Sequence, residues 1–181
     1  MRTTLVIALC VAASFASLDK VRSAPQKPAP PAEPVLVMDT AKGTVEIRLF
    51  PADAPKSVEH ILGLVKRSFY RGFRIHRVTA GLVQFGDPAT RNVTLKDSWG
   101  SGGSGTPIGA AEFSKRRTHQ RGTVSLAHAG RPELADSQLF ILKTATPAYD
   151  GKHAIVGQVT TGMAVVDKLA VTDVIKNITV K

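Results

Sequence analysis

The sequence predicts a mainly-β domain: a closed eight-stranded antiparallel barrel capped by two α-helices. Three observations point there. Eight short segments carry strand signals, at 35–39, 44–50, 74–78, 82–85, 123–129, 138–143, 154–159 and 174–180. Turns containing Gly or Pro separate most of them. Only two stretches have helical spacing, and many short strands with few helices bury their apolar faces best by curling one sheet on itself. No internal repeat competes with this reading.

The chain has 181 residues, which suits one domain with extensions. Residues 1–16 read as a secretory leader: Arg2 gives the positive start, an apolar core follows, and Ser14-Phe15-Ala16 supplies a small-x-small cleavage site. That core is too short and too rich in alanine for a membrane span. Residues 17–34 form a linker dense in proline from Pro25 onward, a composition that favours an extended, semi-rigid tether. A single folded domain is expected to occupy 35–181.

Within it, the first two strands make a hairpin turned at Ala41-Lys42-Gly43. In the second, Val45, Ile47 and Leu49 alternate with Glu46 and Arg48, the period-two pattern of a half-buried strand. Asp53 offers an N-cap to a helix that takes Pro55 in its first turn. Val58, Ile61, Leu62 and Val65 then fall on one face, and Lys66-Arg67 marks the end. A second amphipathic helix fits 163–169, and the aperiodic stretch 88–118 reads as a surface excursion.

Composition excludes several chemistries. Apolar residues make up 43% of the chain, enough for a core without staples. The single cysteine, Cys10, lies in the leader, so the mature chain would lack disulfides, thiolate nucleophiles and cysteine-metal sites. The net charge of +10 invites a nucleic-acid reading. The basic residues are nevertheless spread out, with Lys115-Arg116-Arg117 the one tight run and little aromatic interleaving, so no nucleic-acid partner is expected. Gly100-Ser-Gly-Gly-Ser-Gly105 contains a G-x-G-x-x-G pattern, but the Thr-Pro-Ile-Gly that follows opens no helix to hold a pyrophosphate. A flexible glycine loop is the better reading. The five histidines do not pair at ligand spacing, so no metal is expected. Asp150 near His153 and Ser125 near His128 could be imagined as parts of a hydrolytic triad. No G-x-S-x-G elbow accompanies them.

The most telling stretch runs from Arg74 to Pro88. His76 and Arg77 enter a short apolar run, containing Val78, Leu82 and Val83, that ends at Gln84. Such a strand builds a greasy surface with two aimed polar groups, a peptide cleft rather than a hydrolytic centre.

Motifs along residues 35–181 resemble the cyclophilins, the peptidyl-prolyl cis-trans isomerases. Ala54-Pro-Lys-Ser-Val-Glu-His-Ile-Leu62 is similar to their first helix, and Ile75-His-Arg77 to their Phe-His-Arg. Gly122-Thr-Val-Ser-Leu-Ala-His-Ala-Gly130 and Ser137-Gln-Leu-Phe-Ile141 resemble two further motifs, and Asp150-Gly-Lys-His153 another. The resemblance implies Arg77 as the catalytic arginine and Gln84 as a partner for the substrate backbone. It places Phe140 at the floor of a proline pocket, with Leu82 or Val83, Tyr149 and His153 as walls. His76, Ala127, His128 and Gln138 complete the expected substrate contacts. Five features depart from the family pattern: the Gly81–Gln84 run is one residue short, His128 replaces an asparagine, Leu139 replaces the first phenylalanine of a pair, Arg131–Asp136 is one residue longer, and Ala148 stands where many members carry tryptophan.

No cofactor is expected, because the reaction needs none. Twisting an Xaa-Pro bond exposes a lone pair on the proline nitrogen, and a guanidinium can donate to it without ever losing its charge. The expected partners are proline-containing segments of proteins, acted on by a monomer in the periplasm or outside the cell. A catalytically weak module of the same fold, gripping proline-containing peptides, is the alternative.

Overall fold

The computed structural model describes residues 33–181. The expected leader, and the tether apart from Glu33 and Pro34, lie outside the described residues. Eight strands and two helices follow in order: β1 (Val35–Thr40), β2 (Gly43–Leu49), α1 (Pro55–Lys66), β3 (Arg77–Val78), β4 (Leu82–Phe85), β5 (Thr123–Leu126), β6 (Leu139–Leu142), β7 (Ile155–Thr161), α2 (Met163–Lys168) and β8 (Ile175–Val180). All eight expected strands form, several trimmed by a few residues.

The strands make one antiparallel sheet in the order β3-β4-β6-β5-β7-β2-β1-β8. Register shifts at Asp39/Thr40, Glu46/Ile47 and Val124/Ser125 bend three of the pairings and curl it. The curled sheet is an open half-barrel, not the closed barrel that strand count suggested. Between edge strands β3 and β8 stands a single isolated bridge, Arg74–Val174. A few backbone bonds support it, such as Ile175 N to Phe73 O at 2.8 Å. A continuous ladder fails for a physical reason. β3 is two residues long and begins three residues past the bridge, and from His76, whose N–H donates to Gln84 O at 3.2 Å, the chain pairs with β4 instead.

The core fills the concave side. Leu36 and Met38 of β1, Val45, Ile47 and Leu49 of β2, and Val58, Ile61 and Val65 of α1 are all buried. Tyr70, Phe73 and Phe85 add an edge-to-face aromatic group, with Tyr70 at 6.3 Å from Phe85.

Asp53 does not cap α1. Ala54 is the capping residue, and the Asp53 carboxylate accepts from Arg117 Nε at 2.8 Å and Ser114 Oγ at 2.9 Å. The Arg117 guanidinium and that of Arg116, whose Nη2 donates to Asp53 Oδ1 at 3.1 Å, hold it away from the helix end. Glu112 supplies the missing cap from the long excursion, accepting from the Lys56 and Ser57 amides at 3.0 and 2.8 Å.

The excursion 88–118 contains two short 3₁₀ turns, Pro88–Arg91 and Val93–Ser98, and no strand. Its glycine loop is not merely flexible. Asp87, fully buried, accepts from the Gly100 and Gly102 amides, and Asp136 accepts from the Gly105 amide and Ser104 Oγ. A Cβ on Gly102 would lie 2.6 Å from Asp87 Oδ1, and one on Gly103 would lie 2.6 Å from Asp136 Oδ2. Glycine is required there for close approach to carboxylates, and those loop amides serve the protein's own acids rather than a phosphate.

Candidate active site

Register places the site. Across β3, β4, β6 and β5, Arg77 pairs with Gln84, Gln84 with Phe140, and Phe140 with Ser125. Directly opposed residues share a face, so these four form one row across the sheet. Alternation along β4 divides its side chains. Val83 and Phe85 join the main core, whereas Leu82 packs with Phe140, Leu142, Ala127 and Tyr149 in a second, smaller cluster on the other face.

Arg77 is exposed, and a chain of hydrogen bonds holds it. Arg77 Nη1 donates to Gln84 Oε1 at 3.3 Å, and Gln84 Nε2 donates to Gln138 Oε1 at 2.8 Å. Gln138 Nε2 then donates to the carbonyls of Gly100 and Gly102 at 2.8 and 2.7 Å. The guanidinium is thus braced through two glutamines against the pinned glycine loop. Most of its donors stay free for a ligand.

Beside it lies an aromatic group. The Phe140 ring is edge-on to Tyr149 at 5.6 Å and to His153 at 5.2 Å. His153 Nδ1 donates to Leu126 O at 3.0 Å, and its ring lies 4.4 Å from that of His128. His128 Nε2 donates to Lys152 O at 2.8 Å, leaving Nδ1 enclosed without a partner. A cavity of about 490 Å³ adjoins the row, lined by Gln84, Gln138, Ala127, His128, Arg131 and Asp136 among others. It meets the row at Gln84, beside Gln138, but does not include Phe140, Tyr149 or His153. The site therefore has two neighbouring parts.

Of the expected set, Arg77, Leu82, Gln84, Gln138, Phe140, Tyr149 and His153 come together with Ala127 and His128. Val83 does not. It pairs with Ile141 and is fully buried in the main core, facing away from Gln84. His76 stands behind the cleft: both ring nitrogens are enclosed and unpartnered, and a Cβ on Gly100 would lie 3.4 Å from its Cδ2. It backs the glycine loop. The imagined triad pairs do not form either. Asp150 and Ser125 both meet His119 instead, a residue no motif singled out.

Burial pushes the pKa of His76 below the ordinary value, against a partial offset from the Asp87 charge and Gln138. Burial also lowers that of His153, with the Leu126 carbonyl opposing and His128, His119 and Lys152 reinforcing. Both folded values lie under the unfolded histidine value of about 6.5, so on acidification the unfolded chain takes up protons first. Stability is thus complete above about pH 6.5 and is lost as the pH falls through the window beneath it. A charged His153 would also sit beside Phe140 and Tyr149. We expect the thermal midpoint to fall and KM for proline peptides to rise between about pH 6.5 and 5. Profiles flat over that range would contradict the assignment.

Among the described residues, no group of three or more His, Cys, Asp or Glu is placed to hold a metal. No helix among them is long and apolar enough to cross a membrane.

The family model of the cyclophilin type peptidyl-prolyl cis-trans isomerases matches residues 35–181. The chain belongs to the cyclophilins. A peptidyl-prolyl cis-trans isomerase of Helicobacter pylori is 37% identical over 142 residues, covering 77% of this cyclophilin and 82% of that protein. A Brucella suis protein described as "Probable peptidyl-prolyl cis-trans isomerase" is 35% identical over 173 residues, covering 93% and 85%. In structure, a Cryptosporidium parvum cyclophilin superposes with a TM-score of 0.72 at 22% identity, covering 83% of this chain and 98% of that one. That likeness concerns the fold.

Proposed function

We propose that this cyclophilin accelerates rotation about Xaa-Pro bonds by binding the twisted amide at the Arg77 row. The observation that carries the reading is Arg77 braced by Gln84 and Gln138, in register with a buried Phe140. Isomerase activity follows from family membership, and the row offers groups that suit each demand of the reaction.

The barrier is about 18–20 kcal/mol because amide resonance is lost at the midpoint. Uncatalysed rotation takes on the order of 10–100 s. Reaching milliseconds means about five powers of ten, roughly 7 kcal/mol. At the midpoint the proline nitrogen gains a lone pair that the planar isomers lack. A free Arg77 N–H can donate to it, stabilising the midpoint more than either ground state. Phe140, Leu82 and Tyr149 offer the proline ring an apolar seat, which also favours the less polar twisted amide. Gln84, with one amide hydrogen unspent, can hold the adjoining carbonyl. Ala127 and His128 flank the position of the residue before proline; the Ala127 amide is already donated to Gln138 O at 2.9 Å, which leaves its carbonyl for the ligand.

The substrates in this reading are proline-containing segments of exported proteins, met by a monomer on a proline-rich tether. The leader at 1–16 and the linker at 17–34 support that destination. Ala-Pro peptides assayed by protease-coupled isomerisation should relax faster in proportion to added protein. Secreted material should begin after Ala16. Peptide binding without acceleration would establish the weak binding module instead, and an intact N-terminus on exported protein would remove the leader.

A further inference from the structure

His119 is fully buried and lies outside the five family-like motifs quoted above. Its backbone N–H and its ring Nδ1 both meet one oxygen, Asp150 Oδ1, at 2.8 and 2.7 Å. A carboxylate only accepts, so Nδ1 carries the hydrogen. In the neutral ring Nε2 is then an acceptor, and Ser125 Oγ stands 3.1 Å away to donate to it. The hydrogen bonds from His119 hold the Asp150 carboxyl below the usual carboxylate range. Serine, histidine and aspartate follow one another as in a hydrolase, but Ser125 is fully buried, and no substrate carbonyl can reach its oxygen.

The surroundings of this ring give it another use. It stacks 18° from the plane of Phe140 at 6.5 Å, and meets Tyr149 edge-on at 5.9 Å and His153 at 6.4 Å. These are the three aromatic residues assigned to the proline pocket. Ser125 is also the register partner of Phe140 on β5. On the other side, Thr146 N donates to His119 O at 2.8 Å, just ahead of the Pro147–Tyr149 turn. One residue therefore joins β5 and the ring on β6 through its side chain, and the turn that carries Tyr149 through both its ring and its carbonyl.

We propose that His119, locked by Asp150 and Ser125, is the positioning residue of the proline pocket: its ring sets the pose of Phe140 and of the Tyr149–His153 wall. It touches no substrate atom. A pocket whose floor is held before the peptide arrives meets the twisted amide without rearranging, so loosening it lowers kcat/KM while the fold persists. This inference rests on the reading that Phe140 receives the proline ring.

Asp150→Asn retains an oxygen that can accept from both His119 groups, Asp150→Ala removes it, and His119→Phe keeps a ring but no polar lock. Expected values of kcat/KM are within about twofold of wild type for Asp150→Asn, and about tenfold lower for both Asp150→Ala and His119→Phe. Long-range proton–nitrogen spectra of the wild type should show His119 as the Nδ1–H tautomer. Phe140 ring-proton shifts should move in Asp150→Ala and hold in Asp150→Asn. An Nε2–H tautomer, equal losses in the two Asp150 variants, or unmoved Phe140 shifts with wild-type kcat/KM in His119→Phe would overturn the proposal. Failure of the underlying reading looks different: the wild type itself would not accelerate isomerisation.

Discussion

Arg77→Ala is expected to lower kcat/KM for Ala-Pro peptides by about two to three powers of ten, the usual loss on removing one donor aimed at a developing lone pair or charge. The fold should hardly notice. Arg77 is exposed on a two-residue strand, and among the described residues its side chain makes one hydrogen bond, to Gln84 at 3.3 Å. An exposed substitution of this kind shifts stability by about 0.5 kcal/mol or less. Arg77→Lys should recover little of the loss. The ammonium keeps the charge but lacks the planar fork that can bond Gln84 with one arm and the proline nitrogen with another. The loss should fall mainly on kcat, because the planar ground states offer the guanidinium no nitrogen lone pair. Activity within a few-fold of wild type in a folded Arg77→Ala protein would move the chemistry away from this row.

Those expectations rest on features with very different visibility in the sequence. The alternation Val45, Ile47, Leu49 marks β2 directly, and the stripe Val58, Ile61, Val65 marks α1, because local period reports which face is buried. Val83 illustrates a signal that was present and unused: on a strand spanning Leu82–Phe85, it must face opposite Leu82 and Gln84, so it could not share their cleft. Long-range competition is less visible. Asp53 has every local mark of a helix cap, yet Arg116 and Arg117, more than sixty positions later in the chain, capture it. Barrel closure likewise depends on a contact between residues a hundred positions apart, where the chain from His76 onward pairs with β4 and leaves β8 a single bridge at Arg74–Val174. The candidate site is a matter of register between strands, which no local pattern encodes, so only the family motifs pointed to residues that the structure brings together there. His119 escaped both routes, because its role arises from Asp150, 31 positions away, and from rings on two further elements.

Gly86→Ala should be the most damaging single-methyl change near the site, lowering stability by roughly 3–5 kcal/mol. Gly86 closes β4 at a φ of +111°, where a side chain is strained at the outset. Space is the larger problem. A Cβ would lie 2.2 Å from Ser137 O and 2.8 Å from Gln138 Cα, both backbone atoms that no rotamer change can move aside. Ser137 O accepts from the phenol of fully buried Tyr70 at 3.0 Å, and Ser137 Oγ donates to Gly86 O at 2.8 Å. Moving that segment leaves buried polar groups without partners, at about 1–3 kcal/mol each. It also shifts Gln138, which links Gln84 to the glycine loop, so the brace on Arg77 loosens in whatever fraction stays folded. Gly63 provides the contrast within the same chain. It lies inside α1 with nothing within 4 Å of a modest added methyl, so Gly63→Ala should stabilise by about 0.5–1 kcal/mol through helix propensity. Urea denaturation of both variants separates the two effects by sign. A Gly86→Ala midpoint close to wild type would mean that β4 and β6 are free to part at this end, and Arg77 would then need another explanation for its fixed pose.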